Sequence, residues 1–304
     1  MPELPEVETV VRGLSRLVGW RVAEVHLARA DIQHGRPVPL CVALHGRRIR
    51  AVSRRAKQVW LQTDGDWSLV VHLGMTGRLV LADAQAPIEP HTHLRIVFQR
   101  RRTELRFCDP RRFGGLWVVT RAESDGEGWI GRRLPPAGRD ALDLPLNVFR
   151  AALTRRRQIK ALLLDQQPIG GMGNIYCDES LFRAGVHPTV RASDLDAATV
   201  RRLHAAIRRV LTEAVRAGGS SISDYRTAEN TLGYFQRRLR VYGRAGQPCL
   251  KCGAVIERLV VAGRGTFVCP QCQRQKAQRH KGRRGRGAKA ASRAATVRER
   301  FLGM

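Results

Sequence analysis

The sequence is short of acidic side chains and of long apolar runs. Its 304 residues contain 26 Asp and Glu against 54 Lys and Arg, which leaves a net charge of +28. A surface this positive favours a polyanionic partner, and nucleic acid is the commonest because each neutralised phosphate releases condensed counterions. No apolar run is long enough for a transmembrane helix, and no amphipathic membrane anchor is evident, so we expect no membrane partner.

The N-terminus also lacks the apolar segment of a signal peptide, since MPELPEVETVVRGL contains acidic residues near its start. We therefore expect a cytoplasmic protein. In a reducing compartment its seven cysteines are not expected to form structural disulfides. The apolar content of 43% is nevertheless ample for packed cores, so most of the chain is expected to be globular.

The pattern of apolar residues predicts an α+β multidomain protein. Helical spacing over residues 5–18 indicates an amphipathic helix, and the short alternating runs from about Arg21 to Thr120 predict an antiparallel β-sandwich. Helical patterns follow, the longest from Leu195 to Ala217, with Ser193 or Asp194 as its cap. We place the boundaries at 1–130 for the sandwich, 131–243 for the helical domain, 244–273 for a cysteine module and 274–304 for a basic tail, which we expect to be disordered.

Four cysteines near the C-terminus form two Cys-x-x-Cys pairs separated by 16 residues: Cys249, Cys252, Cys269 and Cys272. This spacing is typical of a zinc ribbon in which each pair supplies two thiolates to one structural Zn²⁺. The chain between the pairs predicts a β-hairpin with Arg264 at its tip. The spacing alone leaves open whether Arg264 is functional or incidental.

Pro2 follows the initiator Met, whose removal would expose a secondary amine. Such an amine can attack the sugar C1′ of a damaged nucleotide, displace the base and form an iminium ion, which permits elimination of the 3′ phosphate. Glu3 is adjacent and could supply the proton that this chemistry needs. Met-Pro-Glu also occurs simply as a helix entry, so these residues alone leave both interpretations open.

Further motifs connect these observations with a known family. They are PELPEVE at 2–8, RRAK at 54–57, HLGMTG at 72–77, DPRRFGG at 109–115, GMGNIYCDESLF at 171–182, GGSS at 218–221, GYFQ at 233–236 and VYGRAGQPC at 241–249. Together with the cysteine pairs, and in this order, they closely resemble formamidopyrimidine-DNA glycosylase. The resemblance runs from Pro2 to about Gln273 and implies a β-sandwich with a catalytic N-terminal helix, a helix-two-turns-helix domain and a zinc finger.

The resemblance also implies a catalytic set. Pro2 would be the Schiff-base nucleophile, Glu3 the acid that assists base loss, and Lys57 a cation beside the lesion phosphate that assists β-elimination. Arg264 would bind the flanking phosphates and take part in δ-elimination. The implied activity is the removal of oxidised purines from duplex DNA, with strand cleavage, by a monomer associated with the nucleoid.

Other residues are implied as DNA contacts. Met75, Arg111 and Phe113 would fill the gap left by the everted base, and Arg111 would also bind the orphaned cytosine. The contacts expected on the DNA backbone are His91, Arg156, Lys160, Asn174 and Tyr176. For Asn174, the glycines before it predict a helix N-terminus whose free amides bind a phosphate.

Two alternatives remain open from the sequence. The first is a glycosylase of the endonuclease VIII class, which prefers oxidised pyrimidines. The loop from Ser220 to Thr231 departs from commoner family forms at Ser220 and Ser221, which leaves the preferred lesion open. The second is a zinc-ribbon DNA-binding protein that has lost catalysis. The presence of the full set of Pro2, Glu3, Lys57 and Arg264 argues against it.

The basic tail gives a first prediction. Residues 273–304 contain 11 basic residues and one acidic residue, so +18 of the net charge remains on the rest of the chain. Removal of residues 274–304 should weaken binding to undamaged duplex and flatten its salt dependence, by about 0.9 log unit of slope for each phosphate that the tail neutralises. A salt titration of duplex binding measures this, and an unchanged affinity and slope would contradict it.

Overall fold

The computed structural model describes residues 1–125, 134, 137–221 and 225–274. The predicted tail lies outside this range apart from Arg274, as does the centre of the Ser220–Thr231 loop. In the part of the chain that is described, no helix combines the length and apolar character needed to cross a membrane.

The first helix, α1, spans Leu4–Leu14 and starts next to Pro2 and Glu3. Pro5 fits its first turn, where a backbone N–H has no helical partner. Its buried face includes Val7, Val10 and Leu14, at helical spacing, and this face packs into the core of the sandwich. The helix therefore holds its own N-terminus in a fixed place against the remainder of the domain.

Two sheets form the sandwich. One has four antiparallel strands in the order β1-β7-β8-β6, and the other has five in the order β2-β9-β5-β4-β3. The strands are β1 Val22–Leu27, β2 Gln33–Gly35, β3 Ile49–Arg55, β4 Gln58–Thr63, β5 Trp67–His72, β6 Arg78–Asp83, β7 Thr92–Phe98, β8 Thr103–Cys108 and β9 Gly115–Thr120, with helices α2 Leu40–Leu44 and α3 Arg121–Asp125. The antiparallel sandwich is confirmed, except that β2 runs parallel to β9.

Alternation along the strands explains the two-sided burial of the five-stranded sheet. Leu69 and Val71 of β5 face the core between the sheets, where they meet α1 and the four-stranded sheet. Val70 points the other way and packs with Trp60 and Trp117 in a second apolar cluster. Both faces of this sheet are therefore covered, so its register is strongly specified.

The helical part contains α4 Leu146–Ala152, α5 Ile159–Leu163, α6 Asn174–Ala184 and α7 Ala197–Arg216, with short strands β10 Arg139–Asp140 and β11 Ile169–Gly170. The expected cap of α7 was wrong by two or three residues. Asp196 caps the helix by accepting a hydrogen bond from the Thr199 amide at 2.7 Å. Gly218, at φ +74, follows the end of α7 as expected for a helix stop.

The C-terminal hairpin consists of β12 Glu257–Val261 and β13 Arg264–Val268. Its own apolar core is small, with Val241, Ile256 and two of the cysteines. The chain leading into it is fixed by the buried Glu179 carboxylate, which accepts hydrogen bonds from the amides of Arg240, Val241 and Tyr242 at 2.9–3.0 Å. The segment that leads into the hairpin is thus attached to α6 by hydrogen bonds from its backbone amides to the Glu179 side chain.

Candidate active site and nucleic-acid interface

The Glu3 carboxylate is buried where the sandwich meets the helical part. It is 3% exposed and accepts hydrogen bonds from the amides of Ile175 at 2.9 Å and Tyr176 at 3.3 Å, in the first turn of α6. The N-terminus of a helix favours a negative charge, so this pairing stabilises the carboxylate. Pro2, also buried, directly precedes it in the chain.

Two glycines of the GMGNIY motif make this approach possible. A Cβ on Gly173 would lie 2.2 Å from the Glu3 carboxyl carbon, and a Cβ on Gly171 would lie 2.6 Å from a methyl group of Leu4. Gly171 also adopts φ +96, which L side chains rarely do. The absence of side chains at these two positions therefore allows α1 and α6 to approach each other closely.

This contact corrects one expectation from the sequence. The amides of Ile175 and Tyr176 were expected to bind a phosphate, but they donate to Glu3 instead. The Asn174 side chain donates to the Gly265 carbonyl at 2.8 Å, which ties α6 to the base of the hairpin loop. Its Oδ1 atom is buried and has no hydrogen-bond partner within the described chain.

Glu6 forms a second buried carboxylate one helical turn from Glu3. It accepts hydrogen bonds from the Glu3 amide at 2.8 Å, from the Ser220 amide at 2.7 Å and from the Tyr176 hydroxyl. Burial, together with the nearby Glu3 charge, raises the pKa of Glu6 to about 7. Tyr176 is therefore a buried partner of Glu6. It was expected to contact DNA, but its side chain does not lie on the surface.

Lys57 lies in the turn between β3 and β4 and is only 6% exposed. Burial lowers its pKa, the Glu3 charge opposes this, and the Arg264 charge adds to the lowering. Burial likewise raises the pKa of Glu3, opposed mainly by Lys57. The charges of Lys57 and Glu3 thus act on each other's pKa, and the charge of Arg264 acts on that of Lys57.

His72 was missed as a member of this environment. Burial, and then the Lys57 charge, lowers the pKa of His72 to about 4, so it is neutral at neutral pH. Its Nδ1 atom accepts a hydrogen bond from the Gly74 amide at 3.1 Å, at the start of the Met75 loop. His72 is the last residue of a predicted strand, and its sequence pattern does not distinguish a residue near a functional site from an ordinary core residue.

The three residues expected to fill the base gap lie on two loops that touch. Met75 is 38% exposed and Phe113 is 55% exposed. The Arg111 guanidinium lies 4.6 Å from the centre of the Phe113 ring, within the range of a cation–π contact. A Cβ on Gly74 would lie 2.3 Å from the Gly114 amide nitrogen, so the two loops pack backbone against backbone.

Asp109 fixes these two loops. Its buried carboxylate accepts hydrogen bonds from the Thr76 hydroxyl of one loop and from the Gly114 amide of the other, the latter at 2.7 Å. Its backbone also pairs with His91, whose carbonyl accepts from the Asp109 amide at 3.1 Å. His91 is exposed beside the loops that bear Met75 and Phe113, in a position open to a ligand.

Lys160 corrects another expectation. Its ammonium is fully buried and donates to Asp178 at 2.7 Å and to the Thr266 hydroxyl at 2.8 Å. The other Asp178 oxygen accepts from the Phe267 amide at 3.0 Å. The Lys160 ammonium is therefore engaged in the interior and does not reach the surface to contact a DNA phosphate. Its bonds to Asp178 of α6 and Thr266 of β13 hold the hairpin against α5 and α6.

The three consecutive arginines before α5, residues 155–157, differ in their contacts. Arg157 pairs with Asp165 at 2.7 Å, whereas Arg155 and Arg156 are exposed and make no ion pair with any residue that the structure describes. Arg156 therefore keeps its guanidinium available for a phosphate. Arg264 is likewise exposed at the start of β13.

The four cysteine sulfurs lie within 4.8 Å of one another. Tetrahedral zinc with Zn–S bonds of about 2.3 Å requires sulfurs about 3.8 Å apart. The Cys249–Cys272 and Cys252–Cys269 pairs, at 3.9 and 3.4 Å, are close to this value. The residues fit one structural zinc, which would fold the hairpin that presents Arg264.

A β-sandwich entered by a helix with buried glutamates, followed by a helical domain and a four-cysteine hairpin, is the domain arrangement of a class of DNA glycosylases. Three family models match: "Formamidopyrimidine-DNA glycosylase N-terminal domain" over residues 1–116, "Formamidopyrimidine-DNA glycosylase H2TH domain" over 138–226 and "Zinc finger found in FPG and IleRS" over 246–275. The chain belongs to the formamidopyrimidine-DNA glycosylase family.

Relatives and solved structures agree with this membership. The formamidopyrimidine-DNA glycosylase of Acidothermus cellulolyticus is 46% identical over 90% of this chain and 97% of its own length, and that of Solibacter usitatus is 43% identical over 90% and 100%. Among structures, Lactococcus lactis Fpg in complex with DNA containing an abasic site has a TM-score of 0.80 at 34% identity, covering 90% of this chain and all of that one. Fpg from Thermus thermophilus has a TM-score of 0.78 at 42% identity, covering 91% and 100%.

The proton on Glu6 gives a prediction for stability. Its pKa rises from the usual 4.5 to about 7 on folding, so the folded state binds the extra proton between these values. The stabilisation of the folded state by this proton is complete below pH 4.5 and is lost as the pH rises through 7. Thermal unfolding should therefore show the wild type losing about 3 kcal/mol across this window relative to Glu6→Gln.

The Glu6→Gln variant keeps the zinc ligands, so the pH dependence of zinc binding cancels in the comparison. Parallel stability profiles for the two proteins between pH 5 and 8 would show that Glu6 is ionised throughout, contrary to this assignment.

Proposed function

We propose that the protein is a base-excision repair enzyme that removes oxidised purines, including 8-oxoguanine and formamidopyrimidines, from duplex DNA and then cleaves the abasic strand. It acts as a monomer in the cytoplasm, on nucleoid DNA. The observation that supports this most directly is the burial of the charged side chains of Glu3 and Lys57, with the buried Pro2 directly before Glu3 in the chain. Burying charged groups is costly, so their concentration at one place favours a catalytic role.

The reaction begins once Met1 has been removed. The Pro2 amine attacks C1′ of the everted nucleotide, and the C1′–base bond breaks as the base leaves with the bonding electrons. The proton lost by the amine nitrogen passes to the departing base. Glu3, whose raised pKa keeps a proton available, delivers that proton to the sugar ring oxygen as the ring opens. The product is an iminium ion that joins Pro2 to the open-chain sugar.

Elimination follows from the iminium ion. Its positive charge acidifies the C2′ hydrogens, so loss of a C2′ proton expels the 3′ phosphate in β-elimination, and a second elimination expels the 5′ phosphate. Lys57 and Arg264 supply positive charge for the phosphates, and charge-assisted hydrogen bonds to phosphate are among the stronger ones in proteins. Zinc takes no part in these steps beyond folding the hairpin.

The everted state is maintained by the two loops fixed by Asp109. Met75 and Phe113 are exposed apolar groups that can enter the stack, and Arg111 can hydrogen-bond the orphaned cytosine. His91, Arg155 and Arg156 are exposed and can bind the DNA backbone. The proposed DNA path thus runs from the Met75 loop, across the Pro2 pocket, to the loop before α5.

Borohydride reduction tests the nucleophile. The wild type should be trapped covalently on a duplex with 8-oxoguanine opposite cytosine, and Pro2→Gly should lower the yield of trapped complex to background, because the secondary amine is lost. Pro5→Gly is the matched control, since it removes a proline from the same helix entry and should still be trapped. Equal trapping of Pro2→Gly and wild type would place the nucleophile elsewhere.

Lesion preference distinguishes this function from that of an endonuclease VIII-like enzyme. With duplexes that carry either 8-oxoguanine or thymine glycol, single-turnover excision should be faster on the purine by about tenfold or more, roughly the discrimination expected from a well-placed polar contact in the base pocket. Faster excision of thymine glycol would assign the protein to oxidised pyrimidines, while leaving the Pro2 chemistry intact.

A further inference from the structure

A second basic feature lies on the sandwich, outside the site described above. It is an open cleft of about 560 Å³ that we call the distal arginine cleft. Four arginines line it together with one indole ring and one amide side chain: Arg21, Arg48, Arg100, Arg101, Trp20 and Gln99.

Chain direction places this cleft at the opposite end of the sandwich from the active site. Helix α1 starts at Glu3 and, with the turn of 3₁₀ helix that follows, runs about 20 Å before it reaches Trp20. Strand β3 starts next to Arg48 and ends near Lys57, about 23 Å away at 3.3 Å per residue. Strand β7 likewise has His91 at one end and Arg100 at the other.

The cleft is built by backbone pairing between three segments. Arg21 and Arg48 form an antiparallel bridge, and the Gln99 amide donates to the Arg21 carbonyl at 2.9 Å. The guanidinium of Arg21 donates to the Gly46 carbonyl at 2.7 Å, and that of Arg48 donates to the Gly19 carbonyl at 3.2 Å. Each of these two groups is therefore held in place by one bond, with further N–H donors left for a ligand.

Positive charge in the cleft is uncompensated by ion pairs. Over the described residues, none of the four lining arginines lies within ion-pair distance of a carboxylate, although many other arginines do. The Asp64 carboxylate accepts a hydrogen bond from the Arg48 backbone amide at 2.9 Å and forms no ion pair with the four lining arginines. Like charges held this close together favour an anion that several of them can share.

Trp20 indicates what kind of anion. The Arg101 guanidinium lies 4.6 Å from its ring centre, that of Arg16 lies 5.9 Å away, and Phe98 contacts it edge-on at 5.3 Å between ring centroids. Because cations and a ring already surround the indole, it is less suited to stack on a base than to orient arginines. The cleft is therefore suited to phosphates and not to base recognition.

We propose that the distal arginine cleft binds the phosphate backbone of a second DNA segment while the active site holds the first. This inference rests on the proposed function, since it takes DNA as the ligand of the active site. Backbone recognition carries no sequence preference, so the second segment needs no lesion. The enzyme would thus bridge two duplexes and could pass between them without full release.

The test is a bridging assay with the full-length protein. Enzyme is first trapped by borohydride on an immobilised lesion duplex, which fills the active site, and a labelled undamaged duplex of about 20 base pairs is then added as the probe. The cleft variant is Arg48→Gln, Arg100→Asn and Arg101→Gln together, where Asn suits the φ of +54 at position 100. The charge-matched control is Arg150→Gln, Arg201→Gln and Arg208→Gln, three exposed helical positions in the second domain.

The wild type and the control should capture the second duplex. The cleft variant should bind it about tenfold or more weakly, with a salt slope reduced by about 0.9 for each phosphate that the replaced arginines would neutralise. All three proteins should excise 8-oxoguanine at equal single-turnover rates. The basic tail is present in all three, so its contribution cancels.

Three outcomes would overturn the proposal: no capture of the second duplex by the wild type, equal capture by the cleft variant, or equally weakened capture in the variant and the control. Arginine-dependent binding of a poly-glutamate peptide without any decrease in duplex capture would also overturn it, in favour of an acidic protein partner. The trapping yield is measured first in every sample, so failure of the proposed catalytic function is seen separately from failure of bridging.

Discussion

The contact between the Glu3 carboxylate and the first turn of α6 is the constraint on which the active site depends. It joins the start of the sandwich domain to the helical part, because Ile175 and Tyr176 donate their amides across the junction. The same junction is continued by Glu6 toward Ser220 and by Lys160 and Asp178 toward the hairpin. The start of α1, α6 and the hairpin that bears Arg264 are thus connected by buried polar contacts.

Local patterns in the sequence were sufficient for much of this architecture. Alternation predicted the strands of the sandwich because each strand buries at least one face, and the spacing of the four cysteines predicted the metal ribbon because tetrahedral coordination fixes how thiolates can be supplied. Resemblance placed Met75 together with Arg111 and Phe113, although these two belong to a distant segment of the sequence. Neither the residue patterns nor the resemblance depends on which polar groups are buried in the folded protein.

Burial is what the sequence could not provide. Lys160 resembles any surface lysine in its local context, and only packing shows that Asp178 and Thr266 surround it. The same limit applies to the glycines before Asn174, which indicated a helix N-terminus but not that Glu3 would accept hydrogen bonds from its first amides. A free helix N-terminus and one filled by a carboxylate from a distant segment have the same local sequence, because the partner is 172 residues away.

Glu3 must meet two requirements that oppose each other. As the link to α6 it is held by amide donors, which favour the ionised carboxylate, whereas the proton-donor role that we propose for it requires the protonated form. Burial decides the balance, since it raises the pKa of Glu3 against the effect of Lys57 and of both amides. A site with the same hydrogen bonds but open to water would hold the helix equally well and would lose the acid. The tight closure made possible by Gly171 and Gly173 is therefore part of the chemistry as well as of the packing.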